Sequence, residues 1–470
     1  MSTLIVDNEI KLNKNNQPLS SHQASLSSKL SAQLPEKSPT KLPAETDNRR
    51  HIVLIGAGFA GIRCLEQLAK YSADRITLVD RNDYHFFPPL IYQVSAGFLA
   101  SSDISYPLRR YISNYDNVRY RQGTLLSINP KDKTITLDTG EISYDRLIIA
   151  KGAETNYFGN QELAMHALPM KTIKDALSIR NHMLSQFNYA ASLPVAEREP
   201  YLSIVIAGGG PSGVELAGVM SEIRRYTLHK EYPELLDNIG GITLVTADPV
   251  LLAPMSESSQ QYTKLQMEKF RVDLIFSDPV KSYDGHMVTL QSGQTLHTHN
   301  LIWTAGVTCD FIQGLDTEDY GQGKRLLVDS HLSLINHNDI YALGDIALAT
   351  HDEAYPKGHP QLGQVASSQG TYLGKYLSGK TDKAFHYKHS GDMAMIGRLT
   401  AVADINGSHL KGFIAWFAWV VIHILSLSTA KNRLATTWNW MIAFFTGKQS
   451  FRMSIEPHED SFKLKKESKL

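Results

Sequence analysis

The chain has 470 residues, 42% of them hydrophobic and 20% charged, and 47 basic side chains balance 47 acidic ones. That length gives room for two or three domains and a large core, and the zero net charge excludes a whole-chain attraction to nucleic acid. Two cysteines far apart, Cys64 and Cys309, exclude a disulfide scaffold and a CxxC redox pair and fit a reducing compartment.

Residues 1–49 are rich in Ser, Lys, Asn, Gln and Pro, have no sustained apolar period, and read as a disordered arm. No apolar stretch there could serve as a secretory signal. Asp7, Glu9, Glu36, Glu45 and Asp47 argue against a transit peptide, which is acid-poor.

From residue 50 strand and helix signals alternate, as a parallel sheet requires. The apolar run 51–55 opens directly into Gly56-Ala57-Gly58-Phe59-Ala60-Gly61, and a helix is expected over 61–70. In such a turn the first glycine allows the bend, the second lets backbone approach a pyrophosphate, and the third lets helix and strand pack closely. The helix N-terminus then offers its unpaired N–H groups and the positive end of its dipole to the phosphates. The next strand, 75–80, ends on Asp80, 19 residues after Gly61, a spacing that suits a ribose-binding acid; a simple turn aspartate is the alternative. Strands are expected at 133–137 and 146–150, the second running into Lys151-Gly152-Ala153.

A second unit repeats the pattern. Strand 203–207 opens into Gly208-Gly209-Gly210-Pro211-Ser212-Gly213, followed by an expected helix over 213–228 and a strand over 241–245. Glu215 is expected in the first turn of that helix. It is either a carboxylate stabilised by the helix dipole alone or one beside a nicotinamide pocket. A last core unit is expected at 339–347, containing Tyr341-Ala342-Leu343-Gly344-Asp345. Two such turns with this last motif point to a flavoprotein that also binds a nicotinamide nucleotide. The expected fold is α/β, with two Rossmann-like dinucleotide-binding domains. The boundaries are 50–165 and 326–385 for the two parts of a flavin domain, 166–325 for an inserted nucleotide domain, and 386–470 for a C-terminal membrane-interface and dimerisation segment.

In that last segment residues 413–425 are nearly all apolar, and a second aromatic stretch covers 438–445. Thirteen residues with His423 among them are short for a membrane span, which takes about 18–20. Between Lys411 and Lys448 lie the basic residues Lys431 and Arg433 and no acid, and residues 388–470 hold eleven Lys and Arg against six Asp and Glu. An amphipathic anchor lying in the lipid interface fits this pattern; a buried core or dimer helix pair is the alternative.

These elements together resemble the type II NADH dehydrogenases, the NADH:quinone oxidoreductases, over about residues 50–455. The resemblance rests on both glycine turns, on residues 82–94 with His85, on 144–153 with Ala150 and Gly152, on 303–307 with Ala305 and Gly306, on Gly344-Asp345, on 395–404 and on the basic-flanked tail. It implies non-covalent FAD held through Gly56, Gly58, Phe59, Ala60, Gly61, Asp80, His85, Ala150, Gly152, Gly344 and Asp345. NADH would dock on Gly208, Gly210 and Gly213, beside Ala305 and Gly306. The implied reaction is hydride transfer from NADH to flavin, then electron transfer to a membrane quinone with no proton pumping. Glu215 would lie between nicotinamide and flavin, Gln364, Ser368 and Gln369 near the quinone, and Lys388 near the flavin. The resemblance also implies a homodimer and a peripheral position on the cytoplasmic face of the inner (cytoplasmic) membrane.

Two positions depart from that pattern. Thr246 stands where an acid usually holds the adenosine ribose, which leaves NADPH open beside NADH. Ser368 stands where a quinone-side glutamine is usual, which leaves the acceptor open. Competing readings are a sulfide:quinone-type reductase, which needs paired redox cysteines, a flavin-binding NAD(P)H sensor, and a soluble diaphorase with another acceptor.

Overall fold

The computed structural model describes residues 48–236, 240–427 and 429–446, without the side chains of residues 229 and 443–446. The arm up to residue 47 and the tail from 447, with Lys448, lie outside this description, as do the side chains at the end of the second aromatic stretch.

A larger mixed sheet and a smaller parallel one carry the molecule. Among the described residues the larger has nine strands, and its centre runs His337–Ala342, Arg146–Ile149, His51–Ile55, Arg75–Asp80, Val118–Gln122, all parallel. Its strands come from two stretches of chain. Between them lies the five-stranded sheet, ordered Leu168–Pro169, Asn300–Trp303, Ile204–Ala207, Ile242–Val245, Val272–Ile275 and also parallel throughout. His51–Ile55 and Ile204–Ala207 are buried at every position. That is why both read as near-continuous apolar runs: a strand covered on both faces has no solvent side to mark with polar residues. The two sheets sit in separate apolar clusters, one around Ile52, Leu54 and Leu147, the other around Ile204, Ile206 and Leu244.

A third layer follows. Asp392–Gly397, Thr400–Ile405 and Ser408–Lys411 form an antiparallel sheet that leads into helices Gly412–Ser426 and Ala430–Thr446. Its first strand lies against helix Pro211–Glu222 so closely that a Cβ on Gly218 would meet Ile396 O at 1.8 Å. No described helix is long and apolar enough to cross a membrane.

Two expectations are corrected. The helix after the second turn begins at Pro211, not 213, because proline at the first helical position lacks only an N–H that has no partner there anyway. Its last stretch, Ile223–Leu228, is a π-helix. At the core unit expected over 339–347, strand His337–Ala342 ends, Gly344 turns at φ +71°, and Ala347–Ala349 pairs with Arg325–Val328. Only glycine takes that φ without strain, and a Cβ there would crowd Ala60 and Ala366 at 3.3 Å.

Candidate functional site

The two glycine turns are built alike. Gly56 sits at φ +98° and a Cβ on it would lie 2.2 Å from Ala150 O, while one on Gly61 would lie 1.8 Å from Gly56 O. Gly208 sits at φ +123°, 2.6 Å from Thr304 Oγ1 by the same measure, and Gly213 would meet Gly208 O at 1.9 Å. The second glycines differ: a Cβ on Gly58 or Gly210 would meet nothing within 4 Å. The first and third glycines are therefore required by the protein's own backbone, and the second leaves open a cradle of the kind a pyrophosphate fills. Each cradle faces a helix, Phe59–Tyr71 or Pro211–Glu222, whose N-cap glycine supplies no side chain to satisfy the first N–H groups. Those donors remain for an anion.

Around the first turn the structure brings the expected residues together. Asp80 closes the strand end, accepting Ala57 N–H at 2.6 Å and Asn82 N–H at 2.8 Å. Burial raises its pKa and those two donors oppose the shift. His85 Nδ1 lies 2.7 Å from Ala57 O, so that nitrogen carries the proton and donates; burial holds the ring neutral by lowering its pKa. Phe59 and Ala60 open the helix, and Gly152, at φ +73°, lies open to space beyond Ala150. Gln369 is wholly buried. Its Oε1 accepts Gly344 N–H at 2.7 Å, and its Nε2 has no partner among the described residues. Asp345 pairs with Lys171 across 3.5 Å, and its backbone carbonyl accepts from Gln361 at 2.9 Å. Open cradle, uncapped helix end and a buried amide donor without a partner all fit a bound dinucleotide such as FAD.

Around the second turn Thr246 is buried against Gly209, and Ala305 and Gly306 follow the neighbouring strand Asn300–Trp303. Glu215 stands on the fifth residue of its helix, one turn further in than expected, so the helix end does not set its charge. It is buried, accepts Met395 N–H at 3.2 Å, and burial pushes its pKa up to about 8, with Met395 N–H and the Trp419 indole drawing it back part of the way. The neutral carboxyl at pH 7 can hold and give a proton, which a free glutamate cannot.

The remaining expected residues are more scattered. Gln364 spans to the 390–391 loop, donating to Gly391 O at 3.1 Å and accepting Ser390 N–H at 3.3 Å. Ser368, on the same helix, is exposed, as is Lys388. Cys64 and Cys309 are both free and fully buried, on separate elements, and burial raises both thiol pKa values, that of Cys309 to about 11. The pair a sulfide reductase needs is not there.

Sequence reasoning missed several neighbours. Glu222 lies two helical turns from Glu215 on the same face, accepts the Arg398 N–H, and has its pKa raised to about 7 by burial. Its spacing of seven was the available signal. Tyr92, Gln93 and Trp440 form a chain in which Trp440 Nε1 donates to Gln93 Oε1 at 2.6 Å and Gln93 Nε2 donates to the Tyr92 hydroxyl at 3.1 Å. Nothing local in the sequence announces that chain, because Gln93 and Trp440 are 347 positions apart.

The C-terminal helices turn an apolar surface outward. Phe413, Ile414, Phe417 and Leu425 on the first, and Leu434 and Trp438 on the second, are each more than half exposed. Arg433, expected as a lipid-facing base, also closes the hairpin: it donates to Leu427 O at 3.0 Å and Leu425 O at 2.9 Å. His423 stacks on Trp419 with ring centroids 3.9 Å apart, and burial lowers its pKa to about 4.

Residues 50–370 match the pyridine nucleotide-disulphide oxidoreductase family, and 389–449 match the NDH2 C-terminal domain. The chain is 32% identical to the type II NADH:quinone oxidoreductase NdhA of Mycobacterium tuberculosis, over 88% of this chain and 91% of that one. It is 27% identical to the external NADH-ubiquinone oxidoreductase 2 of Saccharomyces cerevisiae mitochondria, over 88% and 85%. Its fold is that of Plasmodium falciparum NDH2 solved with NADH, with a TM-score of 0.79 at 21% identity, covering 86% of this chain and 99% of that one.

Proposed function

The chain belongs to the pyridine nucleotide-disulphide oxidoreductase family and, within it, to the type II NADH:quinone oxidoreductases, and from that premise we propose how its residues divide the work. It is an FAD-dependent enzyme that oxidises NADH, reduces a quinone and pumps no protons. When bound, FAD supplies the chemistry by accepting a hydride from NADH and releasing electrons to the quinone.

The protein's part is binding, orientation and one proton. Gly58 and the N-terminus of Phe59–Tyr71 cradle the FAD pyrophosphate, and Asp80 faces its adenosine ribose. Asp345, steadied by Lys171, takes the ribityl–phosphate region, and the free Gln369 amide donates toward the flavin side. Gly210 and the N-terminus of Pro211–Glu222 cradle the NADH pyrophosphate. Reducing a quinone with NADH consumes one proton from solution, and Glu215, neutral near pH 7 and buried against Met395 of the C-terminal sheet, is the group we assign to deliver it. Gln364 holds the loop at the quinone side, where the exposed Ser368 leaves room.

Type II enzymes are membrane-associated, and the outward apolar face of helices Gly412–Ser426 and Ala430–Thr446 supports the lipid interface as the place where this chain meets its quinone. A cytoplasmic-facing homodimer remains part of this proposal. The observation that carries the reading is the pair of open second-glycine cradles at two uncapped helix N-termini in one chain. Its test is anaerobic mixing of the purified protein with NADH, followed at the flavin band near ~450 nm, then addition of a short-chain quinone. Rapid bleaching and recovery are expected. Bleaching without recovery points to another acceptor, the diaphorase reading, and no bleaching points to a sensor.

A further inference from the structure

An acid at the end of the second nucleotide strand normally accepts the 2′-hydroxyl of the adenosine ribose, and the structure puts Thr246 out of reach of that task. Thr246 is only 3% exposed. Its side chain lies against the phosphate turn, where a Cβ on Gly209 would come within 2.7 Å of Thr246 Oγ1. That hydroxyl already accepts Asp248 N–H at 3.1 Å. A threonine wedged inward and engaged by its own loop is a support for the loop.

The loop it supports is held at both ends on the same glycine. Leu252 N–H donates to Gly209 O at 2.9 Å, while Ser277 N–H donates to Asp248 O at 3.2 Å and Asp278 N–H to Thr246 O at 3.2 Å. Asp248 thus sits three residues past the end of strand Ile242–Val245, on a short arch anchored to the phosphate turn. It is exposed, and among the described residues its carboxylate has no hydrogen-bond or ion-pair partner. The other acid of this corner, Asp278, is taken up by Ser292 N–H at 2.8 Å and Ser292 Oγ at 2.6 Å. No Lys or Arg occurs from 246 to 263. Lys264, the first to follow, is turned to the Phe276 ring at 5.7 Å and to Glu268 at 4.0 Å. The corner outside the carboxyl ends of these strands, where a nucleotide's ribose lies, therefore presents a single uncommitted negative charge.

We propose that Asp248, not Thr246, accepts the adenosine-ribose hydroxyl of the nicotinamide nucleotide and excludes a 2′-phosphate, so that this residue sets NADH over NADPH. The proposal rests on the second glycine turn being the NADH site. A carboxylate accepts a sugar hydroxyl more strongly than a neutral oxygen does and repels a phosphate dianion.

The test uses the full-length flavoenzyme, with NAD+ and NADP+ binding titrated by the change in flavin absorbance, beside KM and kcat for NADH and NADPH. Asp248→Ala is expected to weaken NAD+ binding and raise the NADH KM about ten-fold, with FAD content retained and kcat within about two-fold. Asp248→Asn, which keeps size and removes charge, is expected to tighten NADP+ and so narrow the discrimination. Unchanged affinities in both variants, in an enzyme whose flavin NADH still bleaches, would overturn the assignment and leave the function intact. So would Thr246→Val reproducing the loss by itself, since that would return the ribose to Thr246. A wild-type flavin that NADH does not bleach would remove the nucleotide site and this inference together.

Discussion

Glu215 accepts the backbone N–H of Met395 at 3.2 Å, across 180 positions of sequence. The bond ties the helix that starts at the second phosphate cradle to the first strand of the C-terminal sheet. Glu222 makes the same kind of bond to Arg398, and Gly218 between them lets the strand's backbone come close. One helix face thus meets this strand at two points and the residue just past its end, and the acid nearest the nucleotide turn is held neutral by burial.

Glu215→Gln keeps an oxygen for Met395 and removes the titration. FAD content should be unchanged, and quinone-linked turnover should fall at least about ten-fold, with loss of the pH-profile limb near 8. Stability gives an independent check. The folded-state pKa of about 8 lies above the ordinary 4.5, so between those values the folded chain keeps a proton that the unfolded chain releases, and wild-type stability falls as pH rises through that window. The glutamine variant should lose the Glu215 share of that fall, while Glu222, raised to about 7, keeps its own. Tm measured at pH 6 and pH 8.5 should drop less in the variant than in the wild type, and equal drops would mean that Glu215 does not titrate there.

The glycines separate folding from binding. Gly61→Ala and Gly213→Ala each force a methyl within 2 Å of a carbonyl oxygen, Gly56 O at 1.8 Å and Gly208 O at 1.9 Å. Both should yield little soluble protein. Gly58→Ala and Gly210→Ala meet no protein atom within 4 Å, so both should fold. Gly58→Ala should then lose FAD on purification, while Gly210→Ala should keep FAD and raise the NADH KM about ten-fold or more. Flavin-to-protein absorbance ratios decide the first outcome and steady-state kinetics the second.

These turns were legible in the sequence because their requirements are local. A strand followed by three spaced glycines has few other uses, and the buried strands announce themselves by lacking polar positions. What was illegible depended on distant partners. Glu215 could be placed on its helix, but its environment is set by Met395 and Trp419. The core unit at 339–347 was legible, but not its break at Gly344, whose left-handed turn serves a close approach to Ala60 and Ala366. Pro211 was passed over as part of a turn although proline is at home in the first helical position. Asp248 gave no signal because an exposed aspartate becomes informative only once Thr246 is seen to be buried.

Asn432 anchors the C-terminal hairpin to the segment 102–105. Its buried Nδ2 lies 2.7 Å from Asp103 O, 3.0 Å from Ser105 O and 3.2 Å from Ser102 O. Asn432→Leu leaves those carbonyls without their donor and should cost about 1–3 kcal/mol. Limited proteolysis should then cut first between the sheet and the hairpin. Cleavage with wild-type kinetics would mean that the apolar packing of Trp419 and Trp440 suffices without the amide.

The exposed face of that hairpin should decide where the enzyme sits. Phe413, Phe417 and Leu425 lie on the outer side of one helix, 58%, 58% and 62% exposed, whereas Ala415 and Trp419 of the same helix are buried. Replacing the three by serine therefore removes apolar area from the surface without opening a core cavity. Burial of such side chains contributes about 1.5–3 kcal/mol each, so the triple variant should move from membrane to soluble fraction when detergent is absent. NADH–ferricyanide activity should persist, because neither cradle is touched, while reduction of a long-chain, membrane-dissolved quinone should fall and that of a short-chain one should be spared. Sedimentation with membranes at wild-type levels would show that this face packs against protein, as in a dimer, and a concentration-dependent change in mass of the variant would then identify the partner as a second copy.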